Sequence, residues 1–135
     1  MKDIKKIINA VIVVVLLIAG YFWENNKTPP PSPVPKGKKN EKYYQTIMCN
    51  KLGGRIEYVL FDKTRVDCLT KEYAIEVDWA KKWAEGIGQA LYYAEITNKK
   101  PAVGLIVGGD KDQKYLKRLK TVADEFNIKI IILDK

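Results

Sequence analysis

The sequence predicts a small α/β domain built on a mixed sheet, in the element order αβββαβαβ, preceded by one transmembrane helix. Three observations carry this reading. An apolar run from Ile7 to Trp23, broken only by Asn9, precedes everything else. A proline-rich stretch, Thr28 to Pro35, separates that run from the remainder. Beyond residue 41 the hydrophobic period switches between about 2 and about 3.6 residues, the marks of strands and amphipathic helices in turn.

The apolar run comes first in the chain. Its seventeen residues, at a rise of about 1.5 Å each, cover roughly 26 Å, close to the bilayer core of about 30 Å. Lys2, Lys5 and Lys6 precede it, and Tyr21, Phe22 and Trp23 close it as an interfacial aromatic belt does. A cleaved signal peptide shares the basic head and the apolar run. The small-x-small cleavage pattern is poor, however, because Leu17-Ile18-Ala19 sets a bulky Leu at the outer position. No Cys stands just after the run, so a lipoprotein anchor lacks its acceptor. The reading taken is an uncleaved single-pass anchor over residues 1–25, a Pro/Lys-rich linker over 26–40 and a folded domain over 41–135. The leading lysines favour an inside N-terminus and an exported domain; Lys27, Lys36, Lys38 and Lys39 dilute that bias, and the side of the membrane stays open. The linker is expected to be an extended polyproline II spacer of about 3.1 Å per residue, a tether rather than an SH3-type ligand.

Setting the first 40 of 135 residues aside leaves a chain long enough for one core and too short for two domains. Apolar residues at 47% and charged residues at 30% suit a globular domain. The net charge of +8 is uneven, with +5 in residues 1–40 and +3 in residues 41–135. Basicity therefore gives no argument of its own that the domain binds nucleic acid. Histidine is absent, which excludes His triads, His bases and His-ligated zinc. With Cys49 and Cys68 alone, a four-thiolate zinc site is excluded too. A disulfide between them in an exported domain and a pair of buried free thiols both remain open.

The pattern predicts a helix over Glu41–Leu52, with Tyr44, Ile47 and Met48 inward and Gly53-Gly54 as its stop. Arg55–Phe61 reads as an alternating strand, Arg65–Leu69 as a second and Tyr73–Trp79 as a third. Ala80–Thr97 is helical, with Trp83, Ile87, Ala90, Leu91 and Ala94 in one stripe. Pro101 marks a boundary before a buried strand, Ala102–Val107. Asp112–Asn127 is an amphipathic helix with Leu116, Leu119 and Phe126 inward, and Lys129–Leu133 is a final strand. Gly108-Gly109-Asp110 is a strand–helix turn rather than a phosphate loop, since no Gly-Lys-Ser follows. Trp79 and Trp83 are read as packing rather than base-stacking residues.

One constellation suggests chemistry. If the second and third strands form a hairpin turning near Lys71, Asp67 lies opposite Glu76, with Cβ atoms about 5 Å apart. Like charges so placed repel, and a divalent cation is one reason to tolerate them; two carboxylates completed by water and substrate phosphate make an open Mg²⁺ site. Asp78 shares the Glu76 face by the period of two. On the following helix Lys82, Glu85, Gln89 and Tyr93 fall in one polar arc. The plainer alternative is a solvated sheet face and an ordinary wet helix face with i,i+3 and i,i+4 pairs.

The segments Arg65-Val66-Asp67-Cys68 and Ala74-Ile75-Glu76-Val77-Asp78 through Gln89-Ala90-Leu91-Tyr92-Tyr93, in this element order, resemble the PD-(D/E)XK superfamily of restriction-endonuclease-like nucleases over residues 41–135. The resemblance implies a restriction-endonuclease-like α/β core and Mg²⁺ or Mn²⁺ held by Asp67 and Glu76. It implies a catalytic Lys, substrate-positioning roles for Gln89 and Tyr93, and an assisting acid for which Glu57 is the nearest candidate. The family's Lys stands two residues after the strand acid, where this chain has Asp78. Lys82 is the candidate for a Lys moved to the helix, with Lys81 less well aligned. The function so implied is that of a membrane-anchored Mg²⁺-dependent nuclease, a hydrolase of phosphodiester bonds in DNA or RNA. The alternatives are an inactive member of the fold that binds nucleic acid or protein at the membrane, and an envelope interaction domain held off the bilayer by its anchor and spacer.

Overall fold

The structure is a computed structural model and describes residues 2–135, with side chains from Ile4 onward. Helix α1 (Lys2–Asn25) is continuous, and its side chains from Ile4 to Asn25 are all exposed. Over Ile4–Asn25 it is long and apolar enough to cross a membrane. Helix α2 (Glu41–Lys51) follows the linker, then strands β1 (Arg55–Val59), β2 (Arg65–Leu69) and β3 (Tyr73–Trp79). A 3₁₀ turn (Ala80–Lys82) leads into α3 (Trp83–Thr97), followed by β4 (Lys100–Val107), α4 (Asp110–Glu125) and β5 (Lys129–Asp134).

The five strands make one mixed sheet in sequential order, antiparallel through β3 and parallel from β3 to β5. Ile75 and Val77 of β3 pack with Tyr44, Met48 and Cys49, so α2 covers one face. Val103, Leu105 and Val107 of β4 pack beneath Ile87 and Ala90 of α3 and Leu116 and Leu119 of α4, which cover the other. As the central strand, β3 is buried on both sides from Ala74 to Asp78.

Local chemistry sets the boundaries. Asn40 caps α2 by accepting the Tyr43 N–H at 3.0 Å, and Gly53, at φ 63°, stops it. Asn98 ends α3 in the same left-handed region at φ 51°. Pro101 lies inside β4, opposite Ala74, rather than ahead of it. Its missing N–H is tolerated because the first β4–β5 pair is Ala102 with Lys129, one residue further on. Two expected core residues are outside: Ile47 is 41% and Phe126 54% exposed. Phe126 follows the last residue of α4 and so leaves its apolar stripe. On α2 the buried side is Tyr44, Gln45, Thr46, Met48 and Cys49, a rotation that points Gln45 at β2.

The β1–β2 hairpin departs from simple alternation. Ile56 packs in the α2 layer, yet Tyr58, two residues on, packs with Val66 and Tyr93 in the α3 layer. Val66 and Cys68 of β2 are split in the same way. The ladder omits Glu57 and Asp67 between the pairs Ile56–Cys68 and Tyr58–Val66. Glu57 has φ 54°, a left-handed conformation that turns the strand over. Leu60 falls outside β1, in the turn that follows, and packs against the same α3 layer.

Two further ties complete the frame. Cys49 and Cys68 form a disulfide, Cα to Cα 5.6 Å, joining α2 to β2. A Cβ at Gly54 would stand 2.5 Å from Cys68 Sγ and 2.8 Å from Cys49 Sγ, so only glycine passes the bridge. The linker, expected as a free spacer, is fastened back on the domain. The Ser32 N–H donates to Asn50 Oδ1 at 2.8 Å, and Asn50 Nδ2 donates to the Ser32 carbonyl at 2.7 Å. Extended proline-rich backbone makes no hydrogen bonds of its own, which leaves both Ser32 groups free for Asn50.

Candidate functional site

Alternation along β3 turns Ala74, Glu76 and Asp78 toward α3, and the helix buries them: Glu76 is 7% and Asp78 2% exposed. Close approach of the helix depends on Gly86, where a Cβ would stand 3.2 Å from Asp78 Oδ2. One oxygen of each carboxylate, Glu76 Oε2 and Asp78 Oδ2, is buried with no hydrogen-bond partner.

Asp67 reaches the same region from β2. The β2–β3 register pairs Cys68 with Ile75 and Leu69 with Ala74, the register expected from a turn near Lys71, but it ends before Asp67 and Glu76. There the Asp67 side chain takes over, and Oδ2 accepts the Val77 N–H at 2.8 Å. From the α2 side Gln45 Nε2 donates to Asp67 Oδ1 at 3.1 Å, to the Asp67 carbonyl at 2.9 Å and to Glu57 Oε1 at 2.9 Å. Asp67 and Glu76 thus meet through an irregular stretch of hairpin, not through a regular cross-strand pair.

Electrostatics mark these groups as neighbours. Burial, then the charges of Asp67, Asp78 and Glu41, pushes Glu76 up to about 9, against an opposing pull from Lys82. Burial also pushes Asp67 up to about 7, with the Val77 hydrogen bond opposing and Glu57, Glu41 and Asp78 adding to it. Asp78 is raised to about 6 by burial, offset by the Lys82 ammonium. Glu41, at the start of α2, is raised by burial and by Glu85, with Lys82 pulling it down.

The other expected site residues are placed as follows. Lys82 precedes α3 as its N-cap, so it is not on the polar stripe of the helix proper. Its Nζ lies 3.3 Å from Asp78 Oδ1 and 3.8 Å from Glu85 Oε2. The ammonium group therefore sits on Asp78 at the rim, half-exposed, and its charge reaches Glu76 from there. Lys81 and Glu85 are exposed. Gln89 Nε2 lies 3.5 Å from the Tyr93 hydroxyl. Tyr93 is buried beside the acids: burial raises its hydroxyl, Gln89 opposes, and Glu76 and Asp67 add to the rise. Glu57 touches Asp67 through Gln45 and is flanked by Arg65 at 3.4 Å and Lys42 at 3.9 Å.

Sequence reasoning missed Gln45 and Glu41. They stand at i and i+4 on α2 beside the Tyr44 and Met48 positions, and a polar pair at that spacing next to an apolar stripe was the available signal.

The donor set is one of oxygens, which suits a hard cation such as Mg²⁺ or Mn²⁺. Among the described residues, no group of three or more His, Cys, Asp or Glu is arranged to hold a metal ion. Orphaned oxygens on Glu76 and Asp78, and carboxyl groups raised by burial and by one another's charge, are what an added positive charge would relieve, and in that respect the residues fit. Set against known proteins, the chain matches no family model, no curated protein and no solved structure.

Proposed function

We propose that residues 41–135 form a restriction-endonuclease-like domain that hydrolyses phosphodiester bonds with a divalent cation, held at a membrane by α1. The observation that carries this reading is the burial of Glu76 and Asp78 beside the half-buried Asp67 and one lysine, with two carboxylate oxygens unpartnered. The αβββαβαβ order from α2 to β5 supports it.

In this reading Asp67 and Glu76 hold Mg²⁺ or Mn²⁺, which when bound supplies Lewis acidity and a more acidic water. Asp78 holds Lys82 at the rim, where its ammonium group can balance charge on a substrate phosphate. Gln89 and Tyr93 line the α3 side and orient what enters. Gln45 fixes the Asp67 carboxylate and ties Glu57 to it. Attack by water needs neither His nor a Cys nucleophile, consistent with a chain that has no His and a bridged Cys pair.

The test uses the full chain in detergent or nanodiscs with DNA and RNA substrates, in Mg²⁺, Mn²⁺ and EDTA. Metal-dependent cleavage that disappears in Asp67→Asn and Glu76→Gln is expected. No cleavage together with no metal binding by calorimetry overturns the reading.

A second reading, a non-cutting module that binds nucleic acid, is favoured by one observation: Lys82 is engaged by Asp78, the residue standing where the nucleases carry their Lys. Metal-independent binding to double-stranded DNA that weakens with salt, without cleavage, would select it.

For location, the disulfide supports an exported domain, because such bridges persist in oxidising compartments. Lys2, Lys5 and Lys6 at the start of α1 point the same way. A reporter fused after Lys135 that is active only outside the cytoplasm is the expected result.

A further inference from the structure

At the end of the sheet where β3 and β4 begin, away from Asp78 and Lys82, lies a hollow of about 510 Å³. One wall is the chain leaving α1, Asn25 to Pro29, and the others are the start of β1, the β2–β3 turn and the α3–β4 turn. Four cations from four segments line it (Lys27, Arg55, Lys71 and Lys99), and no carboxylate does. Lys27 is paired with Glu24 at 2.8 Å, and Lys99 Nζ donates to the Lys71 carbonyl at 2.6 Å. Arg55 lies over the Tyr58 ring at 5.9 Å. Glu72, next to Lys71 in the turn, is committed to Lys100 at 2.8 Å. The positive charge of the hollow is thus largely uncompensated.

Its position suggests the counter-charge. The apolar part of α1 ends in Tyr21, Phe22 and Trp23, and the cavity wall begins two residues later at Asn25. Aromatic residues at the end of a span lie at headgroup level, so a cavity directly beyond them opens at that level. Thr28 packs against Gly53, within 3.3 Å of where a Cβ would stand, so the exit from α1 is seated on the domain and not swung away from it.

We propose that this hollow seats the headgroup of an anionic phospholipid, with Arg55, Lys71 and Lys99 facing its phosphate and its chains running down beside the aromatic end of α1. The proposal rests on the reading of α1 as a membrane span. It holds the sheet end against the leaflet and turns the carboxylate cluster away from the bilayer.

The full chain is incorporated into nanodiscs of phosphatidylcholine alone and into discs enriched in phosphatidylglycerol, and amide exchange is followed at residues 53–55 and 69–71. Exchange there is expected to slow by about tenfold in the anionic discs, as charge attraction at a membrane surface implies, and to recover in high salt. The triple variant Arg55→Gln/Lys71→Gln/Lys99→Gln should enter the discs and melt like the unchanged chain while losing the difference. Equal exchange in the two disc types, or a variant that keeps the difference, overturns the headgroup seat. Failure of the chain to enter even neutral discs identifies the span reading as the fault and removes the seat with it. Inorganic phosphate giving the same protection in detergent, without lipid, would assign the hollow to a free anion instead.

Discussion

The Asp67 carboxylate takes the place of a strand: its Oδ2 accepts the Val77 N–H at 2.8 Å, where the β2–β3 ladder has just ended. A side chain that completes a sheet in this way is held in one orientation, as a metal ligand must be. Asp67→Ala leaves a buried N–H on Val77 unpaired and should cost about 1–3 kcal/mol, read as a lower urea midpoint. Asp67→Asn keeps an oxygen for Val77 but sets an amide NH2 against Gln45 Nε2 in place of the accepting Oδ1, so it should cost less stability than Asp67→Ala, while cleavage falls on the order of 10²-fold or more. Loss of stability and activity in parallel for both variants would assign Asp67 a structural role only.

Glu76 sets the response to pH. Its folded value is about 9 against an ordinary 4.5, and that of Asp67 is about 7 against 3.8. Between each ordinary and raised value the unfolded chain has released a proton that the folded chain keeps, so stability falls as pH rises. The contribution of both groups is full below about pH 4 and is lost progressively as pH climbs toward about 9. Melting temperatures in EDTA should therefore decline across this range, and Glu76→Gln, uncharged throughout, should flatten the decline. If Asp67 and Glu76 hold Mg²⁺ as proposed, the ion competes with those protons and should raise the melting temperature more at about pH 8 than at about pH 5. A Glu76→Gln profile parallel to that of the unchanged chain would remove Glu76 as the cause.

Gln45 joins the two halves of the hairpin irregularity. One amide nitrogen serves the Asp67 carbonyl, the Asp67 carboxylate and Glu57. Gln45→Leu fits the space but strands these acceptors, at a cost of about 1–3 kcal/mol. Gln45→Glu adds a further negative charge to the cluster and should be worse at high pH than at low. Chemical denaturation of the two variants at two pH values separates the effects.

The Cys49–Cys68 bridge should be a large part of domain stability. A loop of this size is worth roughly 3 kcal/mol, so reduction should lower the melting temperature by on the order of 10–20 °C. Gly54→Ala, which drives a methyl group into both sulfurs, should disturb the same joint with the bridge intact. Thiol alkylation of unreduced, denatured protein should add no mass.

Much of the frame was legible in the sequence. The change of period at Ala80, the stop at Gly53-Gly54 and the turn at Lys71 are local signals, and the element order from α2 to β5 follows them. The Cys68–Ile75 register followed as well, because a short turn leaves few alternatives. The strand reversal at Glu57 was hidden, since alternation assumes one backbone conformation and a left-handed residue inverts the parity after it. Asp67 was singled out by its hairpin position and Glu57 by the family resemblance, yet their link through Gln45 depends on the rotation of α2. The lie of the linker was equally hidden, because proline content fixes its local conformation and says nothing of the surface it follows.

The Ser32–Asn50 fastening leaves only six residues, Asn26 to Pro31, between the end of α1 and its first side-chain hydrogen bond to the domain. Fully stretched, six residues reach about 20 Å, so the domain cannot roam over a wide radius. Lateral drag on the anchor is passed to the last turn of α2 and, through Cys49–Cys68, into β2. Mechanical load thus arrives at the two elements that carry Gln45 and Asp67.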